Sequence, residues 1–496
     1  MGLTLVDLGV IVIYLAGITI FGLRFRRQQR SLRDYFLADN TIPWWAISLS
    51  IVAAETSTLT VISIPGVAFD KDFAFLQLVF GYLIGRVIIS FLLLPHYFKG
   101  ELFTAYQLIE RRFGRNLRSL TAGLFLITRA AAEGVRVFAV AIVIKIALSA
   151  MLTGLGEFGR DVTAIAIVTA LTLIYTFEGG LAAVIWTDVI QIAIYVTGTL
   201  VGVYTILHLV PGGWGTVREV AGAADKFRVI HLDWSLHNTY TLWSGVIGGA
   251  FLTTASHGTD QLIVQRLLSA RTQTESKLAL LSSGVFVLFQ FALFLLVGAM
   301  LFVFYKIYPP AVAFAKTDYV FPTFIVTRMP EVVRGLLIAA ILAAAMSNLS
   351  AALNSLASTS IMDFYARLRP RSSDAQRLRL ARISTIGWAF VLFALAILAR
   401  GGGKVVEVGL SIASVAYGAL LGVFLLGVLT KKANELGASV GMLCGFLFNV
   451  YLWQFTKISF AWYVAFGSAV TFAVGYVCSL ALVQRTASPA EADETR

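Results

Sequence analysis

Charge is what this sequence has least of. Asp, Glu, Lys and Arg make up 13% of its 496 residues, against 58% hydrophobic residues and a mean hydropathy of +0.82. So little polar surface excludes a soluble globule. Cysteine is nearly absent: Cys444 and Cys478 both lie inside apolar runs, which excludes a disulfide framework and gives no metal-ligand spacing. The five histidines form no H-E-x-x-H pattern, and no nucleophile-and-base constellation stands beside them, so an intramembrane enzyme is the weakest of the function classes. Acidic residues are outnumbered 27 to 39, for a formal charge of +12. The excess gathers in alternate short loops rather than on one face, which signals membrane topology and no nucleic-acid partner.

Apolar runs of about 20 residues or more are abundant and recur almost to the C-terminus. The first, 3–23, has no basic segment before it and no small-residue cleavage site after it, so it reads as a retained span. It ends at Arg24, Arg26, Arg27, Arg30 and Arg33, a cluster the positive-inside rule places in the cytoplasm, with the N-terminus outside. Lys99, Arg111, Arg112, Arg115 and Arg118 mark a second inner loop, Arg266, Arg271 and Lys277 a third, and the arginines between 367 and 382 a fourth; Lys431 and Lys432 are inside as well. The alternation predicts an all-α polytopic membrane protein with about thirteen transmembrane helices and a cytoplasmic C-terminus. The predicted spans are 3–23, 43–69, 73–97, 120–151, 162–177, 181–209, 242–257, 278–308, 336–362, 383–398, 405–430, 437–455 and 462–482. Glu178 to Gly180 reads as a tight turn, 211–240 as an external loop with short amphipathic structure, and the tail from 484 as disordered.

One apolar run is interrupted at its middle. In 47–66 the sequence ISLSIVAAETSTLTVISIPG places Glu55, Thr56, Ser57, Thr58 and Thr60 in a membrane-length stretch. A carboxylate at bilayer depth costs about 2.5–3.5 kcal/mol on insertion scales and is kept where it meets water, a partner or a ligand. Hydroxyls and β-branched threonines compete for backbone hydrogen bonds, so the reading is a broken helix whose freed carbonyls coordinate a cation. A second polar interruption, 253–260, follows about five spans later, and this pairing points to an inverted repeat with the binding site between its halves.

Further polar residues cluster by helical spacing. Ser347, Ser350 and Asn354 share one helix face with Asn348 beside it, an oxygen set suited to sodium or, equally, to close helix packing. Arg129, Glu133 and Arg136 share another face. Glu133 is expected to pair with one arginine, leaving a positive charge for a ligand carboxylate or for Glu55, with an internal ion-pair ladder as the alternative. Asp188, in AVIWTDVIQ, reads as a cation-neutralising residue or an anchor beside Trp186. Gln77, Thr253, Ser256 and His257 add donors, and Gly81/Gly85 and Gly418/Gly422 are G-x-x-x-G packing patterns.

These segments together resemble the sodium/solute symporter family of sugar, proline, pantothenate and sialic acid carriers. The resemblance rests on DYFLAD at 34–39, Glu55 to Ser57 followed by IPG at 64–66, GGLAAVIWTDVIQ at 179–191, TDQLIVQR at 259–266 and AAAMSNLSAALNS at 343–355. It implies the LeuT-type five-helix inverted repeat: an extra helix (1–34), a first repeat (35–209), an extracellular loop (210–241), a second repeat (242–432), two peripheral helices (433–483) and a cytoplasmic tail (484–496). It also implies a sodium (Na+) site at the carbonyls of Ala53, Thr56 and Ala344 with the side chains of Ser347 and Asn348, where Asn348 replaces a hydroxyl. The second sodium site of some members matches Asp188, Ser347, Ser350 and Ala351, and Ala351 lacks the side-chain oxygen. Substrate positions are similar to Glu55, Ser57, Thr60, Gln77, Arg136, Thr253, Ser256 and His257, with Arg136 matching a carboxylate-binding arginine of sialic acid carriers.

The expectation is therefore a non-enzymatic, sodium-coupled symporter of the plasma (inner) membrane. Its partners are sodium, the lipid bilayer and a small polar solute, either a carboxylate or a sugar. Proton coupling on the same fold and a non-transporting solute sensor are the competing expectations.

Overall fold

No water reaches the bilayer core to bond exposed N–H and C=O groups, so each apolar segment satisfies its own backbone as a helix. A computed structural model describes residues 3–26, 38–99, 105–175, 181–310 and 312–486. The basic cluster from Arg27 to Arg33, most of the 34–39 motif, the turn at 178–180 and the tail from 487 lie outside the described residues.

In chain order the helices are α1 (Leu5–Arg26), α2 (Trp44–Glu55), α3 (Thr58–Asp70), and α4 (Phe75–Ile88), which continues through a π-helical turn to Tyr97. There follow α5 (Ala105–Phe113), α6 (Arg115–Ala147), α7 (Glu157–Tyr175), α8 (Leu181–Leu209) and α9 (Trp214–Ala223). The second half holds α10 (Gly249–Gly258), entered through a π-helical turn at Ser244–Gly248, α11 (Gln261–Leu268), α12 (Gln273–Ile307), α13 (Val320–Arg328) and α14 (Val333–Thr359). It closes with α15 (Asp374–Ala399), α16 (Val405–Leu429), α17 (Glu435–Phe455) and α18 (Tyr463–Thr486).

Among the described residues, eight helices are long and apolar enough to cross a membrane, and the bent pair α2–α3 makes a ninth span. The other predicted spans are covered, where described, by α1, α6, α7 and α10, which are not among those eight. The short buried helix α13 lies between the predicted spans 278–308 and 336–362, where no span was predicted.

The halves interlock rather than sit side by side. α2 and α3 pack on α12, α10 packs on α4, and α14 packs on α6, α8 and α1. With no hydrophobic drive between helices in lipid, close approach through small residues holds them. At Gly85 a β-carbon would stand 2.7 Å from the Ala250 carbonyl oxygen and 2.8 Å from Thr253 Cβ. The G-x-x-x-G face of α4 is thus the seat of α10, and it brings Thr253 to the centre of the bundle.

Candidate functional site: a cavity between two helix breaks

The first break is where the hydroxyls are. α2 and α3 meet at 64°, with Thr56 at φ −83°, ψ 65° and Ser57 extended. Thr60 Oγ1 donates to the Glu55 carbonyl within the turn at 3.1 Å, and Thr56 Oγ1 donates across to Gln290 Oε1 on α12 at 2.8 Å. Among the described residues no backbone N–H reaches the carbonyls of Ala53 or Thr56, the two the resemblance assigns to sodium. The remaining expected ligands, Ala344, Ser347 and Asn348, lie on α14. Asn348 lines a small side cavity together with Ser57 and Thr58, and Thr58 Oγ1 there is buried without a partner.

The second break falls at the C-terminal end of the expected stretch. α10 remains helical through Gly258, and Thr254 and Thr259 return their hydroxyls to the carbonyls four residues back, at 2.7 and 2.8 Å, instead of turning them to the cavity. The chain turns at Thr259–Asp260, and Asp260 caps α11 by accepting from Leu262 N at 2.9 Å.

Between the breaks lies a cavity of about 200 Å³, lined by seven of the eight expected substrate residues: Glu55, Ser57, Thr60, Arg136, Thr253, Ser256 and His257. Gln77 is not among them. It donates to the carbonyls of Ala74 and Tyr240 at 3.3 and 3.2 Å and accepts from His231 N at 3.0 Å, pinning the loop before α10. The cavity extends to Tyr106 on α5 and Leu262 on α11, at the end carrying the basic loops. At the opposite end a polar basin of about 430 Å³ holds Asp70, Asp72, Lys226 and Tyr240. Phe75 lines the cavity and Tyr240 the basin, with ring centroids 5.3 Å apart, and Phe291 stacks on Phe75 at 5.2 Å. An aromatic barrier therefore stands between the two.

The charges on α6 form the ion-pair ladder that was the alternative expectation. Glu133 engages both arginines through one oxygen, Oε1, at 2.9 Å from Arg129 and 2.7 Å from Arg136. Its other oxygen and Arg129 Nε are buried without hydrogen-bond partners. Arg129 also lies 3.8 Å from Asp260, which accepts from Tyr417 at 2.9 Å. Glu55 is held by Arg86, not by Arg136. Asp188 is paired with a resident arginine: its Oδ2 accepts from Ser50 at 2.6 Å and from Arg266 at 3.0 Å. Ser350, another residue of that expected set, is buried on α14.

The sodium:solute symporter family matches residues 35–445 of the chain. The chain belongs to that family. It is 30% identical over 474 residues to the sodium/sialic acid symporter of Aliivibrio fischeri, covering 94% of this chain and 91% of the relative. Among solved structures, a Na+-coupled sialic acid symporter in a substrate-bound outward-open state superposes with a TM-score of 0.81 at 28% identity, covering 96% of this chain and 98% of that one. Mhp1, a nucleobase-cation-symport transporter, is similar at a TM-score of 0.55 and 11% identity over 91% of this chain and 94% of its own, a likeness of fold alone. The fold of this integral membrane transporter is thus the LeuT type.

Within this family member, sequence reasoning missed Arg86. An arginine mid-way along an apolar span is a signal in itself, and Arg86 is the largest fully buried side chain described. Asp7 carried a similar signal; it pairs with Arg334 and ties α1 to α14.

Proposed function

We propose that the chain imports a small carboxylate-bearing polar solute together with sodium by alternating access. The proposed topology has the N-terminus outside, the C-terminus in the cytoplasm, and 35–209 and 242–432 as the two repeats. The observation that carries this reading is the pair Arg129 and Arg136, joined through Glu133 behind them, in the wall of a cavity bounded by both helix breaks. Two guanidinium groups share one carboxylate oxygen, and the donors left over suit a solute carboxylate. Sodium takes the freed carbonyls of Ala53 and Thr56 with Ala344, Ser347 and Asn348, a hard-oxygen set without formal charge. Arg266 already neutralises Asp188, which supports one sodium per cycle, with Asp188 and Ser350 as structural groups.

The energetics suffice. One sodium ion crossing 100 mV releases about 2.3 kcal/mol, and a tenfold gradient adds about 1.4. Together they sustain an accumulation of roughly several hundredfold for a solute without net charge, and the gradient alone sustains about tenfold for a monoanion, whose charge cancels that of the sodium. The test is thermal stabilisation of the purified chain across a metabolite panel in sodium and in choline, since a ligand of the native state raises its melting temperature. A carboxylate solute that stabilises only in sodium supports the reading; equal stabilisation in both salts overturns it.

A further inference from the structure

The cavity offers a ligand more than donors. Glu55 lines it, with 13% of its side chain exposed. One of its oxygens, Oε2, is held by Arg86 and lies 3.5 Å from His257 Nε2. The other, Oε1, accepts nothing from the described residues. The groups behind Glu55 are fixed. Arg86 also donates to Ser283 Oγ at 3.1 Å and to the Tyr82 carbonyl at 3.3 Å. Arg86 Nη2 also lies 3.3 Å from His257 Nε2, and His257 Nδ1 is hydrogen-bonded to Ser256 Oγ at 2.8 Å. An oriented carboxylate thus presents one unmet anionic acceptor to the cavity, beside the rings of Phe75, Tyr82 and Phe291, whose faces also favour a cation.

We propose that the solute carries an N–H ammonium as well as a carboxylate, with the ammonium on Glu55 Oε1 and the carboxylate on the Arg129–Arg136 side. This rests on the carboxylate-solute reading above and narrows it to amino acids. A solute with a carboxylate alone would leave Glu55 Oε1 unmet and add a further anion to a space of about 200 Å³ that Glu55 and Asp260 already line. An ammonium on the same molecule removes that repulsion and makes a charge-assisted bond, roughly twice as strong as a neutral one. A hydroxyl donor would need only a neutral acceptor such as Gln, without the cost of two charges at bilayer depth.

The experiment uses the full chain in proteoliposomes with a sodium gradient. Matched sets of an amino acid, its 2-hydroxy acid and its deamino carboxylic acid compete for uptake across a range of side-chain sizes. The amino acid is expected to compete about tenfold or more better than either analogue, equivalent to about 1.4 kcal/mol or more. Its uptake should rise with an inside-negative potential, because a zwitterion with one sodium carries a net charge and a monoanion with one sodium carries none. Glu55→Gln should collapse the amino-acid preference to within about twofold. Because that variant leaves the Arg86 charge unpaired, the neutral double variant E55Q/R86Q is measured beside it with a melting curve, and the same collapse is expected. Sodium-driven uptake in which the hydroxy or deamino acid equals the amino acid overturns the ammonium assignment while the carboxylate reading stands. Sodium-driven uptake of a sugar alone overturns both, and uptake indifferent to sodium overturns the symport reading beneath them.

Discussion

Removing the Arg266 guanidinium tests whether Asp188 is a structural ion-pair partner or a sodium ligand. Asp188 and Arg266 keep 7% and 5% of their side chains exposed. Ser50 joins them, donating to Asp188 at 2.6 Å and accepting from Arg266 Nε at 2.8 Å. The triad therefore ties α8 to α2 and α11. Arg266→Met leaves the Asp188 carboxylate buried with a single hydroxyl donor, and breaking one partner of such a pair costs about 3–5 kcal/mol. An exposed pair would lose at most about 1 kcal/mol. Asp188→Asn should cost a similar amount, because it strands the arginine instead. The double variant D188N/R266M buries no charge and should recover most of the loss, so its cost falls well below the sum of the two single costs. The assay is thermal unfolding of the four purified proteins followed by tryptophan fluorescence, with sodium activation of uptake measured in parallel. The double variant should half-saturate with sodium within about twofold of the unmodified chain, a difference under about 0.5 kcal/mol. If Asp188→Asn raises the half-saturating sodium about tenfold or more while its melting temperature is unchanged, the structural assignment of Asp188 is wrong.

The remaining predictions are narrower. Ser347→Ala should remove the sodium dependence of solute binding, read by the melting shift in sodium against choline; a preserved dependence excludes Ser347 from the ion site. Gly85→Val places a side chain against the Ala250 carbonyl and Thr253, so α4 and α10 must part. The folded yield should fall sharply, as size-exclusion profiles would show. Asp7→Ala strands the buried Arg334 and should cost about 3–5 kcal/mol; a melting temperature unchanged from the parent would show that α1 is not held by this pair. Asp318, in the turn Thr317–Tyr319 outside the membrane spans, accepts from Ser63 and from Val405 N, and its burial pushes the carboxyl pKa up. The native state then holds its proton more tightly than the unfolded chain. Stability from this group is full below the ordinary carboxylate range, is lost as pH rises through the raised value, and is flat above it. Asp318→Asn should flatten that acid limb of the stability profile.

Local chemistry explains how much of this site was legible beforehand. The break at Thr56–Ser57 was readable because a hydroxyl that bonds within the turn, that of Thr60, lies within a few residues of it. The second interruption was readable in outline only. Whether Thr254 and Thr259 bond back to their own helix or open it depends on rotamers that spacing does not fix. The pairing of Gly81 and Gly85 with α10 followed from a small-residue face, although the partner helix did not.

What the sequence by itself determined is the class: helices of membrane length, basic loops on one side, a polar break and the family motifs around it. These follow from transfer energies and backbone bonding, which act over one segment at a time. Only the tertiary structure decided the partners. Glu55 meets Arg86 across 31 residues, Asp188 meets Arg266 across 78, and Gln77 meets the loop near 231 across 154. A charge in an apolar span announces that it needs a partner, and helix rotation and packing choose which one. That choice turned Gln77 from a cavity residue into a loop anchor, Asp188 into the partner of a resident arginine, and Glu55 into an acceptor with one oxygen left for a ligand.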